Sequence, residues 1–189
     1  MCETEITPKI KLHSWMYTLL YPAVLGTSIF AFIHSLTVAS EAPGGYEIAF
    51  GVFLIFYFSS QHIENTLDHA GYTYAMFFFD VLELVAMFAF YIFLGLVQTN
   101  FKIGGSENVT WCTFFAVLGV TFLFPVFSRL IDKKNPFPDF RSGCLSAMSI
   151  LAAIIGFSGI LFGVNHIIYA LLCLILFLYF ALFVTGVVK

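Results

Sequence analysis

Charge is scarce in this chain. Eight lysines and arginines and eleven aspartates and glutamates make up only 10% of its 189 residues. Sixty per cent are hydrophobic, 25 are phenylalanine, and the mean hydropathy is +0.96. That composition excludes a soluble domain and describes an integral membrane protein throughout. Nor is there a basic patch of the kind nucleic acids require. There is no glycine-rich phosphate loop, which argues against a nucleotide site. No lysine falls inside any apolar stretch, which argues against a retinal-type Schiff base. Four cysteines (Cys2, Cys112, Cys144, Cys173) form no CxxC pair and read as small apolar packers. Neither HExxH nor HxxxH occurs.

What is present is a succession of apolar runs, each near the roughly 20 residues that cross a bilayer. Six spans are predicted, at about 15–39, 46–63, 72–97, 109–131, 144–164 and 167–188, forming one all-α polytopic domain over 1–189. The first contains Pro22, and the second is short. The connections are small, and no linker, repeat or low-complexity tract interrupts them. With six spans and a cytoplasmic N-terminus, the inner segments hold Lys9, Lys11, Arg129, Lys133, Lys134, Arg141 and Lys189, against Lys102 outside. This bias places both termini in the cytoplasm. A cleaved signal peptide ending near Thr37–Ser40 is the competing reading of the first span, but its apolar stretch is too long for one. The expected surroundings are the lipid bilayer, with a homo-oligomer or a larger membrane complex as partners.

Asp80 and Glu83 stand in the middle of the third span, between Phe77-Phe78-Phe79 and Leu84-Val85-Ala86. A carboxylate at bilayer depth costs a few kcal/mol or more, so it faces protein or water and marks a functional pathway. At three residues apart, the two share a helix face. They are close enough to couple, so that one proton can be held between them. On a helical wheel His69, Thr73, Met76, Asp80, Glu83, Met87, Tyr91 and Gln98 form one stripe, opposite Phe78, Val81, Val85 and Phe88. The stripe predicts an ion or proton pathway using Asp80, Glu83, Tyr91, Met76 and Met87. His34 on the first span joins it if the first and third spans face each other. The competing reading is a structural polar cluster, but interhelical hydrogen bonds in membranes contribute only about 0.6 kcal/mol each. The primary expectation is therefore a small transporter, channel or proton- or cation-conducting subunit.

A second cluster, Ser59, Ser60, Gln61, His62, Glu64, Asn65, Asp68 and His69, joins the second and third spans. Imidazole and carboxylate suit a divalent metal such as zinc, so His62, Asp68, His69 and Glu64 are a candidate metal set. Zinc there would activate a water, which makes a metal-dependent membrane hydrolase the alternative function. The simpler reading is a solvated connection, with Asn65 or Thr66 capping the third helix. The run Thr66-Leu67-Asp68-His69-Ala70-Gly71-Tyr72 resembles the start of the third helix in the hemolysin III and progestin/adiponectin-receptor family. That resemblance implies a seven-helix, zinc-holding lipid hydrolase in which the aspartate pairs with a histidine late in the second helix, where His62 stands. The chain departs from the pattern in two places. Phe58 replaces the family's serine four residues before that histidine, and Asn165-His166-x3-Ala170 replaces a closing His-x3-His.

In the fifth span Ser149, Ala152, Gly156, Gly159 and Gly163 make a small-residue seam, the usual way helix backbones approach closely in lipid. It predicts packing within the chain, with an oligomer interface as the second reading. A third functional reading is an accessory subunit whose role is packing in a larger complex.

Overall fold

The computed structural model describes residues 8–38, 45–67, 72–98, 107–132, 140–163 and 166–187. Among them there is no strand. The first helical rod comprises α1 (Pro8–Trp15), a π-helical turn (Met16–Leu20) and α2 (Tyr21–Val38). It is followed by α3 (Gly45–Leu67), α4 (Tyr74–Gln98), α5 (Glu107–Asp132), α6 (Phe140–Phe162) and α7 (His166–Val187). Five stretches are long and apolar enough to cross a membrane: Lys11–Thr37, Tyr74–Tyr91, Thr110–Ile131, Phe140–Phe162 and His166–Gly186. In α3 only the shorter Ile48–Ile63 is apolar throughout. These features suit a multi-pass membrane protein.

Several boundaries differ from the sequence-based expectation. The first helix begins within the polar N-terminal segment, seven residues before the predicted span. Here α3 runs on to Leu67, through the segment expected to be a connection. Thr66 accordingly caps nothing: its hydroxyl donates to the His62 carbonyl inside α3 (2.7 Å). The residue that starts α4 is Thr73. Its Oγ1 accepts from the Met76 N–H (3.3 Å), and its carbonyl accepts from Phe77 (3.1 Å). The π-helical turn was not anticipated either. It lies just before Pro22, which has no N–H to donate and whose ring crowds the carbonyl four residues back. A widened turn relieves that conflict, and the Tyr21 N–H bonds Met16 O across five residues.

The helices close into a ring in the order α2, α4, α5, α6, α7, α3 and back to α2. Aromatic contacts fix their directions. At one end Phe32 of α2 meets Tyr91 of α4, Phe50 of α3 meets Phe90 of α4 and Tyr169 of α7, and Phe90 meets Phe114 of α5. The other end gathers His13 and Tyr17, late α3, early α4, late α5, early α6 and late α7. Neighbours in sequence therefore run antiparallel. The interior is packed with Phe50, Leu54, Tyr57, Phe58, Phe90, Phe114, Phe115, Leu118 and Phe122. Large apolar side chains also cover the outside, including Phe30, Phe78, Val85, Ile154, Leu161 and Phe162. That exterior is costly in water and suited to hydrocarbon.

The small-residue seam faces α5 of the same chain. A Cβ on Gly159 would meet the Phe115 ring, and one on Gly156 would approach the Gly119 backbone at 3.3 Å. Ser149 and Ala152 are buried on the same side. Gly163 does not belong to the seam: nothing lies within 4 Å of its Cβ position. It ends α6 instead, with φ +67° and its N–H on Gly159 O at 2.9 Å, the left-handed closure glycine tolerates best. Cys112 is exposed, not packed, and Cys144 and Cys173 are half-buried.

Candidate functional site

The predicted stripe on α4 turns inward. Asp80 and Glu83 are 2% and 1% exposed, Met87 and Tyr91 are buried, and Met76 is half-buried. Phe78, Val85 and Phe88 on the opposite arc are exposed. Both acids sit toward the end of the bundle where the first rod begins.

Asp80 is held by three hydroxyls. Tyr17 and Tyr72 both donate to Oδ2, at 2.7 Å and 2.6 Å, and Ser128 of α5 donates to Oδ1 at 3.3 Å. Glu83, one turn deeper, is held more loosely. The Tyr21 hydroxyl stands 3.5 Å from its Oε1, longer than a good O–H···O bond, and is nearer the Phe58 carbonyl at 3.2 Å. The positive charge close to Glu83 belongs to Arg129, a half-buried residue of α5 that donates to the Ser146 hydroxyl of α6 at 3.3 Å.

Five rings surround the acids. The His13 ring lies 4.8 Å from Tyr17 and 4.8 Å, edge-on, from Tyr72. Tyr17 stacks on Tyr21 at 5.9 Å, and Tyr21 stacks on His62 at 5.0 Å with their planes 18° apart. His13, Tyr17 and Tyr21 recur every four residues along the first rod. In a regular α-helix two such steps drift about 80° around the axis. The π-helical turn adds a residue to the turn between Tyr17 and Tyr21 and removes much of that drift. All three rings thereby face α4 together.

Beyond Glu83 the polar layer continues across the bundle. Tyr57 of α3 and Ser149 of α6 share a hydrogen bond at 3.1 Å, and the Gln61 amide donates to the Tyr179 hydroxyl of α7. Six elements thus supply hydroxyl, carboxyl, amide or imidazole groups at one depth, each able to give or accept a proton or a hydrogen bond.

The other sequence-predicted positions fare differently. His34 is exposed, stacks on Phe30, and lies far along α2 from the acids, beyond Phe32. Packing the rod against α4 brings Tyr17 and Tyr21 to the acids and leaves His34 near the opposite end, away from Asp80 and Glu83. Of the candidate metal set only His62 can be located. Asp68 and His69 fall outside the described residues, as does the Glu64 side chain, and so do His69 and the Gln98 side chain of the stripe. Among the described residues no three histidines, cysteines or acids converge as metal ligands. His166 packs on Tyr46 at the end remote from His62.

His13, Tyr17, Tyr21, Tyr57, Ser128 and Arg129 escaped the sequence reading. The tyrosines count as apolar in any hydropathy window, and Arg129 served only as a topology charge. The one available signal was the His13-x3-Tyr17-x3-Tyr21 spacing ahead of Pro22.

The chain matches no protein-family model, no curated protein and no solved structure.

Proposed function

We propose that this chain is a six-span membrane protein that moves protons, as a transporter, a channel or the conducting subunit of a larger complex. Asp80 and Glu83 are the two acids of the path, and both termini are cytoplasmic. Three features support the topology: alternating helix directions, the apolar exterior, and the concentration of lysine and arginine at the end where the rod begins. In this reading α3 also spans, with Gln61 and His62 met by Tyr179 of α7 and by Tyr17 and Tyr21 of the first rod.

One observation carries the function: Tyr72 and Tyr17 both donate to the buried Asp80, with the Tyr21–Glu83 contact one turn on. Magnitudes choose protons over metal cations. A hydrogen bond to a charged group contributes about 1.5–3 kcal/mol, so a cation seeking the Asp80 oxygens has to displace donors worth roughly 5–9 kcal/mol in total. A proton enters along the bonds already there. Glu83, with its long contact to Tyr21, is the acid that takes and releases the proton. Asp80 holds the tyrosines in line.

The test is reconstitution into liposomes carrying an internal pH dye, with the membrane potential set by potassium and valinomycin. The wild type collapses the pH difference faster than empty liposomes, and Glu83→Gln returns it to the empty rate. Equal rates for wild type and Glu83→Gln reject the proposal.

A further inference from the structure

Two buried hydroxyls in the other half of the α2–α4 interface have no hydrogen-bond partner: Ser28 Oγ, on a residue 0% exposed, and the Tyr91 phenol, on a residue 1% exposed. Leaving a buried hydroxyl unpaired is costly. For Ser28 it is also avoidable. Thr27 and Ser35 on the same helix, and Ser60, Thr121 and Ser158 elsewhere, each donate to a carbonyl three or four residues back. Ser28 alone among these keeps its hydroxyl directed away from its own backbone.

Phe32 relates the two groups. Ser28 lies one turn from Phe32 on the same face of α2, and the Phe32 ring packs edge-on to Tyr91 at 6.2 Å. Side chains on a helix lean toward its N-terminus, so the Tyr91 phenol leans back along α4 toward Met87 and Glu83. Ser28 lies on that same side of Phe32. Both hydroxyls therefore belong to the stretch of the α2–α4 interface between Glu83 and Phe32. On the far side Phe32 is wedged against Gly51 of α3, where even a Cβ would collide with its ring.

We propose that Ser28 and Tyr91 bind exchangeable water between them, and that this water carries the proton path from Glu83 into the second half of the bundle. The inference rests on the proton-moving reading above. Two polar partners are the minimum for a buried water, and a water-bridged pair costs little relative to a direct bond. Phe32, closing the far side against Gly51, is the apolar barrier the path has to pass.

Stability and flux test this together, on purified full-length chain and on liposomes. With bound water, Tyr91→Phe and Ser28→Ala each strand a partner, lower the Tm by about 2 °C or more, and slow proton flux at least several-fold. If the hydroxyls are merely unsatisfied, removing them relieves a penalty: the Tm holds or rises and flux stays within twofold of wild type, which overturns the inference. Glu83→Gln run alongside separates the cases. If it abolishes flux while Tyr91→Phe and Ser28→Ala do not slow it, the water site fails and the proton reading stands. If Glu83→Gln leaves flux intact, the reading itself falls. Should Tyr91→Phe not fold, Ser28→Ala, a smaller change, gives the same comparison.

Discussion

The bond from Tyr17 to Asp80 links the π-helical turn to α4 across 63 residues of sequence, and its strength reports the state of the acid. An interhelical bond between neutral groups in a membrane protein averages about 0.6 kcal/mol. A bond to an ionised group contributes about 1.5–3 kcal/mol. The perturbation is Tyr17→Phe, which removes one oxygen and leaves the ring to stack on Tyr21 and His13. A chain of this size loses about 2–4 °C of Tm per kcal/mol. Tyr17→Phe should therefore cost roughly 1–2 °C if Asp80 is protonated and roughly 3–12 °C if it is ionised, on the same scale. Tyr72→Phe gives an internal comparison, since its bond is as short but local to the start of α4.

A double-mutant cycle isolates the pair. Tyr17→Phe, Asp80→Ala and the double variant are melted in the same detergent, and the coupling is the part of the double change not given by the sum of the singles. Coupling of about 1.5 kcal/mol or more assigns a charged Asp80, and about 0.6 kcal/mol a neutral one. Coupling indistinguishable from zero refutes the bond, and with it the continuity of the proposed path.

Pro22→Ala removes the cause assigned to the π-helical turn; the rod should relax toward a regular helix, and the misaligned Tyr17 should lower the Tm as Tyr17→Phe does and remove most of the proton flux. Gly159→Ala should destabilise by about 1–3 kcal/mol because its Cβ meets the Phe115 ring. Gly163→Ala should cost about 1–2 kcal/mol from its positive φ alone, and Gly26→Ala, with open space around it, should stabilise slightly; thermal melts rank the three. Arg129→Gln should lower the Tm, and adding Glu83→Gln should restore part of the loss, since the charge near Glu83 is then no longer needed; additive losses would disprove that partnership. Chelator treatment followed by metal analysis should leave the Tm unchanged and find zinc well below one per chain, because the His62 ring lies flat on Tyr21; stoichiometric zinc that His62→Ala removes would restore the hydrolase reading.

Periodicity made α4 legible. Twenty-five residues with acids on one arc and phenylalanines on the other have one sensible orientation in an apolar medium, so the inward turn of Asp80, Glu83, Met87 and Tyr91 follows from the wheel. What the wheel could not supply was the partner for each acid. That depends on how far the first rod slides along α4, and tertiary packing decides it. Nearly five turns of helix, roughly 25 Å at 1.5 Å per residue, separate a contact with Tyr17 from a contact with His34. Hydropathy also hides tyrosine, which is apolar in a window but has a hydroxyl that ends up buried. The extension of α3 from Ile63 to Leu67 was hidden for a similar reason: Glu64, Asn65 and Thr66 are polar and read as a connection. The polar turn just before it, Gln61 and His62, is met by Tyr179 of α7 and by Tyr17 and Tyr21 of the first rod.

The two acids look equivalent in sequence and are unlike in structure. Asp80 lies level with Tyr17, Tyr72 and Ser128, close to the end of the bundle where hydroxyls are plentiful. Glu83, one turn inward, meets only the edge of that supply: Tyr21 is nearer a backbone carbonyl than it is to the carboxyl, and the neighbouring charge is the Arg129 guanidinium, which donates to Ser146. An acid held by three donors is hard to disturb; an acid with one loose contact has fewer bonds to rearrange when its charge changes. Spacing of three residues along α4 thus places a fixed group and an exchangeable one in series. That order, fixed group outward and exchangeable group inward, is what a path leading deeper into the bundle requires.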